Sequence, residues 1–169
     1  HKEYRRQRQM CIRDRALGIP AMILSDAIEG EAADIARMHA AIAREIALRD
    51  RPFRKPVLLL SGGETTVTLK GNGRGGRNTE FLLALAIELD GMAGVYGFAA
   101  DTDGIDGSES NAGAFVGPDT LVRLQKLGLQ PRASLANNDA FSAFDALDEL
   151  FSPGPTGTNV NDFRALLIV

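Results

Sequence analysis

The fold is decided by residues 57–89, which read VLLLSGGETTVTLKGNGRGGRNTEFLLALAIEL. The apolar run at 57–60 predicts a buried strand, and the β-branched run at 65–70 predicts a second strand after a tight turn. A glycine-rich loop follows at 71–76. The helix predicted over 78–89 is apolar nearly all round, which is typical of a helix buried between layers.

Strands and helices alternate on both sides of this stretch. Apolar runs and helical periodicity predict the remaining elements, which are strands at 19–24, 94–100 and 165–169 and helices at 31–48, 119–127 and 138–150. This alternation predicts an α/β protein, a layered α/β/α domain with a mixed sheet. His39 lies on the first of these helices, where we expect a partly exposed side chain and not a metal ligand.

A charged segment with two prolines at 51–56 predicts a linker. It separates residues 57–169, enough to bury a core, from a strand and a helix within residues 16–50. In layered α/β domains, binding groups cluster in the loops beyond the strand ends. We therefore look for the chemistry of this chain in its polar loops.

Charge is distributed unevenly along the 169 residues. The formal net charge is -3, but residues 1–15 carry six basic and two acidic residues, which leaves 13 basic and 20 acidic residues for the rest. An acidic body offers no basic face for phosphate neutralisation, and no apolar run approaches the roughly 18 residues that cross a bilayer. We expect neither a nucleic-acid nor a membrane partner, and a cytoplasmic location.

Residues 1–15 end in QMCIRDR, which resembles a translated sequencing adapter and lacks the features of a signal peptide. We interpret them as a non-native leader. The rest has no cysteine and one histidine, His39, which argues against disulfides, cysteine or histidine zinc sites and Ser-His-Asp triads. Ser61 lacks the G-x-S-x-G motif and a histidine partner, so we reject a serine hydrolase.

The first polar loop, GNGRGGRN at 71–78, is predicted between a strand and a helix. Glycines allow close backbone approach, and N–H groups at a helix start, with Arg74 and Arg77 beside them, favour phosphate. The alternative is a flexible hairpin loop. The loop satisfies G-x-G-x-x-G without the context of a dinucleotide site, and it lacks the Lys-Ser/Thr of a Walker A motif.

The second loop, DTDGIDG at 101–107, follows a predicted buried strand. Three carboxylates this close repel one another unless a cation or hydrogen-bond donors compensate. The cluster therefore suggests Mg²⁺ coordination or a base for a substrate hydroxyl, with a solvated acidic turn as the alternative. An EF-hand is excluded, because Ile105 and Ala112 occupy two of its ligand positions.

Three further polar groups remain open between binding and structural roles. The loop GPTGTN at 154–159 suits a phosphate or a polar acid, or is a plain turn. The run NND at 137–139 suits ligand contact or helix capping. Glu64, at a strand entrance, suits orientation of Arg77 or binding of a substrate hydroxyl, or is a surface carboxylate.

These motifs, in this order, resemble the C-terminal MOFRL domain of the class II glycerate kinases. The resemblance spans about 56–169 and rests on four stretches: SGGETTVTLKGNGRGGRNTE at 61–80, AADTDGIDG at 99–107 with NAG at 111–113, LANND at 135–139 and GPTGTNVND at 154–162. Residues 16–50, with IEGEA at 28–32, resemble the end of the family's Rossmann-like N-terminal domain, most of which is missing here.

The resemblance implies an ATP- and Mg²⁺-dependent kinase that phosphorylates D-glycerate at its 2-hydroxyl, in a cleft between two domains. It implies that Arg77 holds the transferring phosphoryl group or the glycerate carboxylate. It also implies that Asp103 or Asp106 places Mg²⁺ or accepts the hydroxyl proton. Further substrate or phosphate contacts are expected at Glu64, Gly73, Gly75, Gly76, Asn78, Glu80, Asn138, Thr156, Thr158 and Asn159.

The sequence departs from the family pattern at two places. Thr79 stands where the family has Gln, and Ser108-Glu109-Ser110 replaces its Pro-Thr-Asp. Because the other half of the cleft is missing, we expect this chain alone to be inactive. Two alternatives stay open, namely an NAD(P)H-dependent hydroxypyruvate reductase and a non-catalytic domain that binds a phosphorylated metabolite.

Overall fold

The structure is a computed structural model that describes residues 18–169. The leader predicted at 1–15 lies outside the described residues. The strands are β1 (Ala21–Ser25), β2 (Gly30–Glu31), β3 (Val57–Gly63), β4 (Thr65–Thr66), β5 (Val95–Asp101), β6 (Gly113–Val116), β7 (Leu150–Phe151) and β8 (Asp162–Ile168). The helices are α1 (Ala32–Arg49), α2 (Arg77–Leu89), α3 (Thr120–Lys126), α4 (Pro131–Ala136) and α5 (Ala140–Asp145).

A six-stranded mixed sheet with the order β1-β3-β8-β5-β6-β7 forms the centre of the fold. β1 and β3 are parallel, whereas the other neighbouring strands are antiparallel. The α/β class and the mixed sheet are therefore confirmed. Because β1 pairs with β3, one sheet spans the linker predicted at 51–56, so the residues before and after that segment share a core.

The helices cover one face of the sheet. α2 packs on β5 and β6, and α1, α3, α4 and α5 pack around α2. The opposite face exposes apolar side chains, including Ile23, Tyr96, Phe115 and Phe163. Within residues 18–169, the helices of the layered arrangement lie on one side of the sheet. α2 is buried as predicted, but between the sheet and other helices.

The strand predicted over 65–70 is wrong beyond its first two residues. Thr65–Thr66 forms a two-stranded parallel sheet with β2. Beyond it, the backbone N–H of Thr68 donates to the Glu31 carboxylate (3.1 Å), and that of Lys70 donates to Asn138 Oδ1 (2.7 Å). Side chains thus replace the strand partner that these N–H groups would need.

The single helix predicted over 138–150 is also wrong. Asn138 has a left-handed backbone (φ 54°), and Asp148 does too (φ 58°). Since a helix cannot continue through such residues, the segment is divided between α5 and β7. The sequence patterns also missed α4 and β6.

The remaining predicted elements are confirmed with shifted ends, as in α1 (31–48 predicted), α3 (119–127) and β5 (94–100). β8 begins three residues earlier than the predicted strand at 165–169. Among the helices of residues 18–169, none is long and apolar enough to cross a membrane.

Candidate active site

Arg77, the first residue of α2, lies at the centre of a charged cluster. Its Nε donates to Asp162 Oδ1 (2.7 Å), and its Nη2 donates to Asp101. Its Nη1 lies 3.8 Å from Glu64 Oε1. Two buried carboxylates therefore fix the orientation of the guanidinium, and the third nitrogen is left beside an exposed carboxylate.

The strand register explains why these carboxylates meet. Asp162, the first residue of β8, lies opposite Gly63 at the end of β3 and opposite Asp101 at the end of β5. Asp162 Oδ2 accepts a hydrogen bond from Nη2 of Arg164 (2.7 Å), whose side chain is fully buried. Thr65 donates to the same oxygen from its backbone N–H and its hydroxyl, both at 3.3 Å. Asp162 thus links two arginines.

Burial and charge act in opposite directions on these groups. Burial lowers the pKa of Arg77, but the hydrogen bond that Arg77 donates to Asp162 and the charges of Asp162, Asp101 and Glu64 outweigh it, so the pKa is raised. Burial raises the pKa of Asp101 and lowers the pKa of Arg164. Arg77 therefore stays charged at any physiological pH.

A cleft of about 890 Å³ opens in front of Arg77. It brings together five predicted site residues, namely Glu64, Gly73, Gly75, Gly76 and Arg77. Ser108 also lines the wall, whereas the hydroxyls of Thr65 and Thr66 donate to Asp162 and Glu31. A guanidinium and a carboxylate at one cleft can bind a small polar anion that carries hydroxyl groups.

Asp106 does not face this cleft. Its carboxylate is buried and accepts hydrogen bonds from the backbone N–H groups of Asn78 (2.9 Å) and Thr79 (2.8 Å) and from both side chains. Burial raises its pKa. Asp106 therefore caps α2, and both of its oxygens are engaged. Asp106 therefore has no accessible oxygen with which to act as the expected base or metal ligand.

The same geometry corrects the expected phosphate site. The second and third N–H groups of α2, those of Asn78 and Thr79, already bind Asp106, so they do not face a ligand. In the glycine loop, the N–H of Gly71 binds Asn138 Oδ1 (3.0 Å), that of Gly73 binds the Asn137 carbonyl (2.9 Å) and that of Arg74 binds Asp139 (3.0 Å). These N–H groups are used to attach the loop to residues 137–139.

The loop glycines are explained by close packing. A Cβ on Gly73 would overlap Asp139, and a Cβ on Gly76 would overlap Asp106. Gly75 has a φ of +145°, which side-chain-bearing residues rarely adopt. The glycine richness thus reflects close contact with other parts of the chain.

Asn138 and Glu80 form part of the same attachment. Asn138 Nδ2 donates to Glu80 Oε2 (2.9 Å), while its Oδ1 accepts from Lys70 and Gly71. Burial raises the pKa of Glu80. Both residues lie away from Arg77, on a separate cavity. No side chain of residues 137–139 caps α5, so these residues fit neither alternative and serve to attach the glycine loop.

The other predicted residues are dispersed. Asp103 Oδ1 accepts from the Ile105 N–H (2.8 Å), and Asp103 is not part of the cleft wall. The side chain of Thr156 binds the backbone of Thr102, and Asn159 is exposed. Thr158 lines another cavity. Within residues 18–169, no three His, Cys, Asp or Glu side chains are grouped to hold a metal ion. Because both oxygens of buried Asp106 are engaged, Asp103 and Asp106 do not fit a shared Mg²⁺ site.

The structure also corrects the expectation for His39. It is buried, and its Nε2 lies 2.9 Å from Ser61 Oγ, so Ser61 does have a histidine partner. Nδ1 lies 2.8 Å from the Ile35 carbonyl and must donate to it, which makes Nε2 the acceptor. Burial lowers the pKa of His39. Both side chains lie in the core, so we assign this pair a structural role.

Comparison with known proteins places this geometry in a family. The MOFRL family model matches residues 57–162, most of the chain. The chain belongs to the MOFRL family. The matched residues include Arg77, Asp101 and Asp162, the centre of the charged cluster.

Relatives of this MOFRL chain carry two different names. A protein of Agrobacterium vitis, provisionally named a hydroxypyruvate reductase, is 52% identical over 155 residues, which are 90% of this chain and 40% of that protein. The D-glycerate 2-kinase of Thermotoga maritima is 44% identical over 152 residues, 90% of this chain and 36% of that protein. The chain thus spans well under half the length of these relatives.

A solved structure shares the fold. The crystal structure of glycerate kinase from Thermotoga maritima superposes with a TM-score of 0.89 at 43% identity, over 92% of this chain and 38% of that one. The fold described above is therefore shared with the matching part of this glycerate kinase structure.

The sequence did not predict the parts that three residues play in the charged cluster. These residues are Asp162, Arg164 and Asp101, the last as a partner of Arg77. A signal was present in DFRALLIV at 162–169, where Asp162 and Arg164 alternate with apolar residues. Extending the last strand by three residues would have placed both charges on its buried face. A buried charge needs a partner of opposite charge. The carboxylate of Asp162 would then have been expected to pair with an arginine such as Arg77.

Proposed function

We propose that this chain is part of an ATP-dependent D-glycerate 2-kinase that works in the cytoplasm. The observation that carries the proposal is the guanidinium of Arg77, held at the cleft by Asp162 and Asp101 with Nη1 beside Glu64. The name of the Thermotoga maritima relative, a D-glycerate 2-kinase, supports the substrate.

Arg77 binds an anionic oxygen of glycerate or of the transferring phosphoryl group through Nη1. Glu64, on the same cleft wall, accepts a hydrogen bond from a substrate hydroxyl. The 2-hydroxyl oxygen of glycerate forms a bond to the γ-phosphorus of ATP, the bond from that phosphorus to the β-γ bridging oxygen breaks, and ADP leaves. Phosphoryl transfer needs mainly positioning and charge stabilisation, and a fixed arginine supplies both.

Mg²⁺ belongs to this proposal as the companion of the nucleotide. Because Asp103 and Asp106 do not fit a shared site, we assign its binding to the phosphates of ATP and to groups outside residues 18–169. Asp103, whose Oδ1 accepts from the Ile105 N–H, remains our candidate to receive the proton of the substrate hydroxyl.

The length of the relatives supports a division of labour. The matched relatives are more than twice as long as the segment that this chain matches. We infer that the rest of such a protein supplies the other wall of the cleft, and that the present chain alone does not phosphorylate glycerate. In this proposal, residues 18–50 connect the preceding domain to the sheet and core that they share with residues 57–169.

A hydroxypyruvate reductase is the second candidate, because the Agrobacterium vitis relative carries that name at higher identity. The glycine loop argues against it. Its N–H groups bind residues 137–139, and Asp106 occupies the start of α2, where a dinucleotide pyrophosphate would bind.

The test is a chimera in which residues 18–169 replace the matching segment of the Thermotoga maritima kinase. Phosphorus NMR with ATP, Mg²⁺ and D-glycerate should show 2-phosphoglycerate. Arg77→Ala should lower kcat/KM by about 10²- to 10³-fold, as for loss of a donor that stabilises transition-state charge. Arg74→Ala is the matched control, because Arg74 lies in the same loop and pairs with Glu109 instead.

Two outcomes would overturn the proposal. One is near-native kcat/KM in Arg77→Ala, with Arg77→Lys measured in parallel to separate loss of charge from loss of geometry. The other is reduction of hydroxypyruvate with NADH by a folded chimera that forms no phosphoester. Circular dichroism of each variant shows whether it is folded.

A further inference from the structure

Arg164 is the one fully buried arginine in residues 18–169. Its side chain exposes none of its surface, whereas the other arginines that form ion pairs there expose between 29% and 65% of theirs. It lies on the buried face of β8, which continues with the apolar residues Leu166 and Ile168. Burying a charge is costly, and an apolar side chain in its place is often equally stable. A charge therefore stands where packing alone favours an apolar residue.

The hydrogen bonds of Arg164 converge on one carboxylate oxygen. Its Nη2 donates to Asp162 Oδ2 (2.7 Å) and to Thr65 Oγ1 (3.0 Å), and the Thr65 hydroxyl itself donates to Asp162 Oδ2 (3.3 Å). Nε and Nη1 of Arg164 have no hydrogen-bond partner within residues 18–169. Five donors allow an arginine to cross-link several segments, but here both bonds lead to Asp162. The effect of Arg164 is therefore concentrated on the carboxylate that binds Arg77.

The two oxygens of Asp162 are divided between the core and the cleft. Oδ2 binds Arg164 and Thr65, while Oδ1 accepts from Arg77 Nε (2.7 Å) and Asn78 Nδ2 (2.9 Å). Without Arg164, Oδ2 would keep only the two bonds from Thr65, both at 3.3 Å and thus longer than usual. The carboxylate could then turn and offer both oxygens to Arg77, since arginine–carboxylate pairs are frequently bidentate. The guanidinium of Arg77 would lose its present direction.

Arg164 also changes the charge that an anion meets at the cleft. Arg77 pairs with three carboxylates, those of Asp162, Asp101 and Glu64, so these four groups carry one positive and three negative charges, a formal net charge of -2. The guanidinium of Arg164, bound to the same Asp162, reduces this excess to one negative charge. Charges interact more strongly in the protein interior than in water. Arg164 therefore lowers the repulsion of an anion that approaches Arg77.

We propose that Arg164 is a positioning residue of the Arg77 site. Through Asp162 it fixes the direction of the Arg77 guanidinium, and its charge offsets the carboxylates that surround that group. Because Arg164 is fully buried, it acts without touching a ligand. This inference rests on the proposed function, since it takes the cleft at Arg77 as the place where an anion binds.

The first test follows the Nε–H proton of Arg77 by heteronuclear NMR of the isotope-labelled 169-residue chain, with the signal identified by its loss in Arg77→Lys. In Arg164→Met the hydrogen bond to Asp162 should open more often, so exchange of this proton with water should accelerate about tenfold or more. Arg164→Lys should restore slow exchange, because an ammonium group also donates to Oδ2.

Arg123→Met is the matched control. Arg123 also pairs with a carboxylate, that of Glu149, and donates to the Leu147 carbonyl (2.8 Å), but it has no contact with the Arg77 cluster. Free energies of unfolding are measured for every variant. A purely structural role for Arg164 would lower stability in Arg164→Met and leave the Arg77 signal unchanged, and this result would overturn the inference. If Arg164→Met does not fold, Arg164→Gln takes its place, since the amide keeps polarity without the charge.

The second test uses the chimera and separates this inference from the proposed function. Arg164→Met should lower kcat/KM for D-glycerate about 10- to 100-fold, the scale for loss of a residue that orients a ligand-binding group, and Arg164→Lys should recover most of it. If the chimera is active and Arg164→Met changes neither kcat/KM nor the Arg77 signal, the positioning role is wrong and the proposed function stands. If the chimera forms no phosphoester but the Arg77 signal depends on Arg164, the proposed function fails and the positioning of Arg77 stands.

Discussion

Two buried aspartates stabilise the first turn of α2, one mainly through ion pairs and the other through hydrogen bonds with neutral groups. Asp162 accepts hydrogen bonds from two charged side chains, those of Arg77 and Arg164, and further ones from Thr65 and from Asn78 Nδ2. Asp106 binds the N–H groups and side chains of Asn78 and Thr79, which are neutral. Asp162 therefore belongs to an ion network, whereas Asp106 is a helix cap supported by the helix dipole.

The difference predicts different consequences for stability and activity. Without Asp162, the guanidinium of Arg164 would remain buried with its principal partner gone, and Arg77 would lose its orienting bond. Without Asp106, polar N–H groups would be unsatisfied but no buried charge would be left unpaired. An unpaired charge costs more than an unpaired dipole in a medium of low polarity.

The largest expected effect is that of Asp162→Ala. It should lower the free energy of unfolding by about 3–5 kcal/mol, because it leaves a buried arginine without its partner. Urea denaturation followed by circular dichroism measures this. The control is the double variant Asp162→Ala/Arg164→Leu, which should recover much of the loss by removing the unpaired charge as well. A loss below about 1 kcal/mol in the single variant would remove the distinction drawn between the two aspartates.

Asp106→Ala should have a smaller effect. We expect a loss of about 1–3 kcal/mol, the cost of leaving buried donors unsatisfied. Asp106→Asn should lose less, since the amide oxygen still accepts from one N–H group. The same denaturation experiment applies, and in the chimera Asp106→Asn should keep kcat/KM within a few-fold of the unmodified protein. Equal costs for Asp106→Ala and Asp162→Ala would contradict the comparison.

The smallest expected effect is the dependence of stability on pH that arises from His39. Burial lowers the pKa of His39 below its unfolded value of about 6.5, with the charge of Arg164 acting in the same direction. The neutral form is favoured in the fold, so stability is full above about pH 6.5 and falls as the pH drops below it, by at most about 1.4 kcal/mol per pH unit. Asp101 and Glu80, whose pKa values are raised, act in the opposite direction.

The measurement for His39 is therefore a difference. Unfolding free energies between pH 7.5 and 5.5 are compared for the unmodified chain and for His39→Asn, so that the carboxylate contributions cancel. The unmodified chain should lose stability more steeply with acid. Parallel curves would show that His39 does not change its protonation on unfolding.

Much of the fold could be predicted because its signals are local. The apolar runs of β3 and β5, the periodicity of α1 and the all-round apolar surface of α2 are read within windows of 7 to 18 residues. Orientation of Arg77 by Glu64 was one of three alternatives that the sequence left open, and in the structure Glu64 Oε1 lies 3.8 Å from Arg77 Nη1. The errors fall where distant side chains replace backbone partners, as Asn138 does for Lys70.

Sequence alone therefore determined the α/β class, the position of the core strands and the residue types available for chemistry. Tertiary structure decided which of those residues face a ligand. Asp106 and the glycine loop look like ligand-binding groups in sequence, yet their hydrogen bonds are used within the protein. Asp162 looks like the end of a loop, yet it orients Arg77 from 85 residues away. The physical reason is that a polar group is free for a ligand only when folding has left it without a partner, and the partners here lie far along the chain.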